Sequence, residues 1–187
     1  MASSFDPHTI SNHGRAFLLQ LARDAIAARL HGLSPPATRP DDPVLLEHRR
    51  AFVPLKKNGR LRGCIGYIVG VSELWIAVRD NAESAAFKDP RFQALQDDEL
   101  SAVHIEISAL TPLVPSSPED VVVGRDGVVV ERGAYRAVLL PQVAVEQGWD
   151  VETFLDATCR KAGLETGCWR DPATTLETFS AEVFGED

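Results

Sequence analysis

Phe52-Val53-Pro54-Leu55-Lys56-Lys57-Asn58-Gly59-Arg60-Leu61-Arg62-Gly63-Cys64-Ile65-Gly66 is the stretch on which the fold turns. Asn58-Gly59 is a two-residue hairpin signal, because both residues tolerate the positive φ that a type I′ turn needs. Antiparallel strands are therefore predicted over residues 51–56 and 60–68. Side chains alternate along a strand, so Arg60, Arg62 and Cys64 are expected on one face and Leu61 and Ile65 on the other. A bulge at Gly63 would reverse that assignment. Pro54 has no N–H, which predicts a strand that is an edge, or bulged, at that point.

Working outward, an arm over about residues 1–10 is expected to be flexible, within a single domain over 1–187. Ser11 or Asn12 caps a predicted helix running to about Leu30, with Leu18, Leu21, Ala22, Ala25 and Ile26 on its apolar stripe. Arg15, Arg23 and Asp24 are expected to face water. Gly32 stops the helix, and a proline-rich connector over 34–43 leads into the hairpin. Beyond the hairpin, Ser72 is expected to cap a helix over 73–86, its inward residues being Leu74, Val78, Ala82, Ala85 and Ala86. Asp89-Pro90 reads as an N-cap with proline at the first helical position. Residues 102–110 alternate as a half-buried strand, with His104, Glu106 and Ser108 on one face. A second hairpin is expected over 128–131 and 135–140, then helices over 142–147 and 151–162, and one closing strand over 176–184 that returns to the main sheet. Antiparallel pairs with helices between them, lacking regular β-α-β alternation, make the class α+β: an antiparallel sheet with flanking helices.

The 187 residues suffice for one domain, or one domain plus a small lobe. A net charge of −8 argues against a general nucleic-acid binder. The charge is uneven: Arg49, Arg50, Lys56, Lys57, Arg60 and Arg62 lie in a stretch with no acidic residue, a face suited to an anionic ligand or partner, or a solvated hairpin guarding its own edge. No apolar run reaches the roughly eighteen residues of a membrane span, and residues 1–8 lack a secretory pattern. Three cysteines, Cys64, Cys159 and Cys168, show no framework spacing and are expected as reduced thiols in a cytoplasm.

Leu61-Arg62-Gly63-Cys64-Ile65-Gly66 resembles the signature of the AMMECR domain, called AmmeMemoRadiSam system protein A in prokaryotes. Asp89-Pro90-Arg91-Phe92, Ile107-Ser108-Ala109-Leu110, Leu139-Leu140-Pro141-Gln142-Val143 and Lys161-Ala162-Gly163-Leu164 are similar to its other blocks, in the same order. The resemblance implies a larger lobe around an antiparallel sheet, a smaller lobe and a cleft between them. It implies no settled activity. It also implies, by association, Memo-like and radical S-adenosylmethionine proteins as partners in an RNA- or small-molecule-modification pathway. Pro54 and Tyr67 stand where the family has threonine, so any contribution from those hydroxyls is lost here.

Cys64 is the candidate nucleophile, with Arg60 and Arg62 expected to lower its pKa and His104 as the candidate base on a neighbouring strand. The alternative is a buried thiol, with Gly63 and Gly66 serving close backbone packing. Arg62 suits a carboxylate or phosphate through its planar fork, or forms a structural ion pair with Asp89 or Glu106. Arg91 points to the cleft or lies on a helix surface. The candidate ligand-binding set is thus Arg60, Arg62, Gly63, Gly66 and Arg91, taking an anionic small molecule or a protein partner. The glycines form no nucleotide fingerprint, and the scattered histidines give no metal-ligand spacing, so no cofactor and no metal are expected. Trp75, Trp149 and Trp169 are expected in core or interlobe packing, with a cleft lining as the alternative for one of them.

Overall fold

The computed structural model describes residues 9–66 and 72–186. Residues 1–8, most of the expected arm, lie outside the described residues, as do Tyr67 and Ile68. The chain divides into two compact units: residues 1–110 with 182–187, and residues 111–181. Each carries a four-stranded antiparallel-paired sheet and its own apolar core.

The first unit opens with α1 (Asn12–Leu30), capped by the Ser11 hydroxyl accepting from the Gly14 N–H, as the sequence predicts. The hairpin follows as β1 (Ala51–Lys57) and β2 (Arg60–Gly66), with Asn58 and Gly59 both at positive φ. Then come α2 (Leu74–Phe87) and β3 (Val103–Leu110). Both helices contribute to one core, α1 with Leu18, Leu21, Ala22 and Ile26, and α2 with Leu74, Val78, Ala82 and Ala85. They join Ala51, Val53, Leu55, Ile105 and Ile107 of the sheet. Glu73 rather than Ser72 occupies the N-cap of α2, without a side-chain cap bond.

In the second unit, β4 (Val114–Pro115), β5 (Gly127–Arg132) and β6 (Tyr135–Leu139) precede α3 (Pro141–Gln147) and α4 (Val151–Lys161). Asp150 caps α4 by accepting from the Thr153 N–H, and Gly163 follows at positive φ. The closing strand is the main correction. It is two strands, β7 (Thr175–Phe179) and β8 (Ala181–Gly185), separated at Ser180. The sheets are ordered β2-β1-β3-β8 and β4-β7-β5-β6, so only β8 returns to the first sheet. Carboxylates fasten it there. Glu182 accepts from the Ile10 N–H, Arg15 and Arg49, and Glu186 accepts from Arg23 through both oxygens. Ile10 is buried, and Arg15 and Arg23, expected to face water, are half-buried grips on this strand.

Of the two outcomes expected at Pro54, an edge or a bulge, the edge is excluded, and the register slip on this strand lies one residue on, between Leu55 and Lys56. β1 is an interior strand, not an edge. Its pairing with β3 runs from Ala51↔Ala109 to Phe52↔Ser108, then resumes at Leu55↔Ile105. The gap spans Val53 and Pro54, where proline has no N–H to donate. The cysteines are corrected too: Cys159 and Cys168 form a disulfide, Cα–Cα 6.0 Å, and Cys64 is the free thiol. Short sequence spacing gave no hint, because α4 and the turn after it must fold before the two residues meet. Among the described residues, no helix is long and apolar enough to cross a membrane.

Candidate functional site

The site is built on β2. Its pairing with β1 runs Phe52↔Gly66, Val53↔Ile65, Pro54↔Cys64 and Leu55↔Gly63, then slips to Lys56↔Leu61. Arg62 is the extra residue of this bulge. Residues opposite one another share a face, so Cys64 lies with Pro54 and Lys56, away from the core residues Val53 and Leu55. Ile65 faces the core as expected. Leu61 does not: the slip moves it to the Cys64 face, where it is 43 % exposed. Arg60, Arg62 and Cys64 therefore do not form one row.

The two glycines hold this geometry for steric reasons. A Cβ on Gly63 would run into the carbonyl oxygen of Ala85, so glycine lets the backbone of α2 lie directly against β2. A Cβ on Gly66 would run into the ring of Phe52. Both residues serve the close packing that one of the two expectations gave them.

Asp89 and Arg91 complete the corner. Asp89 Oδ2 accepts from the Cys64 N–H at 2.9 Å, and Arg91 Nη2 donates to the Cys64 carbonyl at 3.3 Å. Together they supply the donor and acceptor that a neighbouring strand would offer to this edge of the sheet. Arg91 Nε and Nη2 also bond Asp89 at 3.0 and 2.7 Å. Asp89 is thus no helix cap. Its carboxyl lies well below the usual carboxylate range, chiefly through the Arg91 hydrogen bonds and then the Cys64 and Arg91 N–H groups, against the opposing effect of burial.

Arg62 is engaged elsewhere. Its Nε and Nη2 donate to Glu99 at 3.2 and 2.8 Å, and Nη1 donates to the Gln93 carbonyl at 3.0 Å. The partner is Glu99, neither Asp89 nor Glu106. Lys57 also reaches Glu99, and the Arg62 and Lys57 hydrogen bonds hold this carboxyl down at about 2. Lys56 pairs with Glu106 at 2.8 Å. Most of the cationic cluster seen in the sequence is neutralised within the unit. Arg60, at the hairpin tip, is exposed and has no hydrogen-bond or ion-pair partner among the described residues.

Cys64 is not activated by its surroundings. Burial pushes the thiol up, Arg91 opposes this, and Asp89 and Glu106 add to it. The expected effect of Arg60 and Arg62 is absent, because the bulge and Glu99 direct the guanidinium of Arg62 away. His104 does share the face: it is the Cα partner of Lys56 on β3. But β1 lies between β2 and β3, two strand spacings amount to roughly 9–10 Å, and His104 is offset by two residues from the Pro54 level. The structure does not bring His104 within hydrogen-bonding reach of Cys64. Among the described residues no group of three His, Cys, Asp or Glu side chains is placed to hold a metal ion.

Sequence reading missed Glu99 and Phe52 and misassigned Asp89. The signal available for Asp89 was the Asp-x-Arg spacing. Glu99 stood in an acidic run, Asp97-Asp98-Glu99, that carried no mark of its partner.

These features define a two-unit α+β protein whose first sheet has its edge closed by an aspartate–arginine pair at a cysteine. The AMMECR1 family model matches residues 19–184, and the chain belongs to that family. A protein from Methanothermobacter thermautotrophicus is 47 % identical over 179 residues, covering 91 % of this chain and 93 % of that one. One from Thermococcus gammatolerans is 41 % identical over 194 residues, covering 96 % and 94 %. The crystal structure of an uncharacterized protein from Pyrococcus horikoshii superposes with a TM-score of 0.75 at 41 % identity, covering 91 % of this chain and 90 % of that one.

Proposed function

We propose that this protein is a binding module rather than a thiol enzyme, and that it takes an anionic ligand or protein partner on the face of the first sheet around Cys64. The observation that carries this reading is the composition of that face. Lys56, Cys64, His104 and Glu106 lie on it among Phe52, Pro54 and Leu61, while α1 and α2 of the same unit both pack on the other side. A sheet surface that carries an ion pair, a thiol and an imidazole among apolar side chains, with neither α1 nor α2 packed over it, is suited to recognition. A nucleophile would need a depressed thiol pKa and a base in reach; here burial raises the thiol, and β1 separates it from His104. Lys56 is the cation on this face; Arg60, opposite Lys57 at the hairpin tip, is uncommitted but lies on the other side of the strand, and Arg62 serves the scaffold by holding Glu99.

The test is a titration with inorganic phosphate followed by backbone amide chemical shifts. The expected outcome is saturable perturbation at Lys56 and Cys64, abolished by Lys56→Glu, weakened by Arg60→Glu through its charge at the hairpin tip, and retained by Cys64→Ser. In parallel, iodoacetamide labelling of Cys64 across pH should give an apparent pKa above the free-thiol value of about 8.5. Ready labelling with a pKa below that value would overturn the reading. It would favour an enzyme using Cys64 as nucleophile, the role for which a radical S-adenosylmethionine partner was the expectation.

A further inference from the structure

The second unit holds a feature that this binding face does not use. Cys159 on α4 and Cys168 in the 168–170 turn are bonded and essentially inaccessible, at 0 % and 1 % exposure. The same turn is held twice more without covalent bonds. Asp156 Oδ1 accepts from the Gly167 N–H and the Trp169 indole N–H, both at 2.8 Å. Arg170 stacks 3.7 Å over the Trp169 ring and pairs with Glu152 at 3.0 Å. The segment also reaches the β5–β6 hairpin, where Arg132 donates to Glu165 at 2.7 and 2.6 Å and to Asp171 at 3.2 Å.

We propose that the Cys159–Cys168 bond is a redox latch on residues 164–171. Reduction by a dithiol breaks the S–S bond, places one proton and one electron on each sulfur, and leaves the reductant as its own disulfide. The cross-link spans only nine residues of sequence separation, so its contribution is that of a short loop, and the Asp156 and Glu152 bonds persist when it opens. The result is a turn tethered by hydrogen bonds alone, so that it and the hairpin tip bonded to it through Arg132 open more often, on an intact sheet: a reversible change rather than unfolding of the unit. Because both sulfurs are buried, exchange with the reductant follows local opening.

Thiol counting under denaturing conditions, on protein purified without reductant, should give one free thiol, rising to three after dithiothreitol. Amide exchange should then become roughly tenfold to a hundredfold faster over 164–171 and at Arg132–Tyr135 on reduction, with residues 103–110 unchanged. The melting temperature should fall by roughly 5–10 °C. The double variant Cys159→Ser/Cys168→Ser should reproduce the reduced exchange pattern and be insensitive to dithiothreitol. Three free thiols before reduction, unchanged exchange over 164–171, or collapse of protection across β5 and β7 on reduction would each overturn the latch. If the double variant does not fold, reduction and reoxidation of the wild-type chain make the same measurement.

Discussion

Asp89→Ala removes the group that closes the edge of β2, and its effect can be worked from the contacts it breaks. Its side chain is 2 % exposed and accepts four hydrogen bonds: from the N–H groups of Cys64 and Arg91, and from Arg91 Nε and Nη2. A hydrogen bond to a charged acceptor contributes about 1.5–3 kcal/mol, and the bond to Cys64 falls in that class. The loss of the Arg91 N–H bond relaxes the turn that follows α2, which brings the total to about 2–4 kcal/mol. The Arg91 side chain is 57 % exposed and adds little through its charge, because water screens it. Asp89→Asn keeps the shape but turns an NH2 group towards one of the donors, so it should recover less than half of the loss. Urea denaturation at neutral pH is the assay, with the m-value expected unchanged. Amide exchange at Cys64 supplies the local readout. Asp89→Ala within about 0.5 kcal/mol of wild type would refute the edge-closing role. So would unchanged amide exchange at Cys64 in Asp89→Ala.

The two glycines of β2 separate by what obstructs them. Gly63→Ala forces a Cβ against the Ala85 carbonyl, backbone that cannot step aside, and should destabilise by about 1–3 kcal/mol or more, measured by urea denaturation. For Gly66→Ala the three nearest atoms all belong to the Phe52 ring, so Phe52→Ala in the same chain should offset most of its effect, a coupling of about 0.5–3 kcal/mol in a double-mutant cycle. Phe52→Ala should not rescue Gly63→Ala. Glu99 sets an acid limb of stability. Its folded pKa, about 2, lies below the unfolded value of about 4.3, so its contribution is fully present above that unfolded value and is lost as pH falls through the folded one. Urea midpoints followed from pH 5 to pH 2 should decline, and Glu99→Gln should make that decline shallower; an equal slope in the variant would contradict the Arg62–Glu99–Lys57 assignment.

Local chemistry by itself determined most of the elements. Asn58-Gly59, the Ser11 and Asp150 caps, the alternation from Val103 to Ile107, and the apolar stripes of α1 and α2 each depend on residues within a turn or two, and each formed where the sequence placed it; Ser108, expected on the face of His104 and Glu106, is buried. The block Leu61–Gly66 likewise marked the family and the important corner. The tertiary structure decided the rest, because those features depend on partners distant in sequence. The bulge at Arg62 arises where β2 must meet both β1 and the 93–99 segment, and it reorders which side chains share a face. Arg62 found Glu99 across 37 positions, and Cys64 found Asp89 across 25. The division of 175–185 between two sheets hinges on Ser180, which a strand-forming composition on both sides conceals. The close approach of Gly63 to α2 existed only once helix and strand were packed.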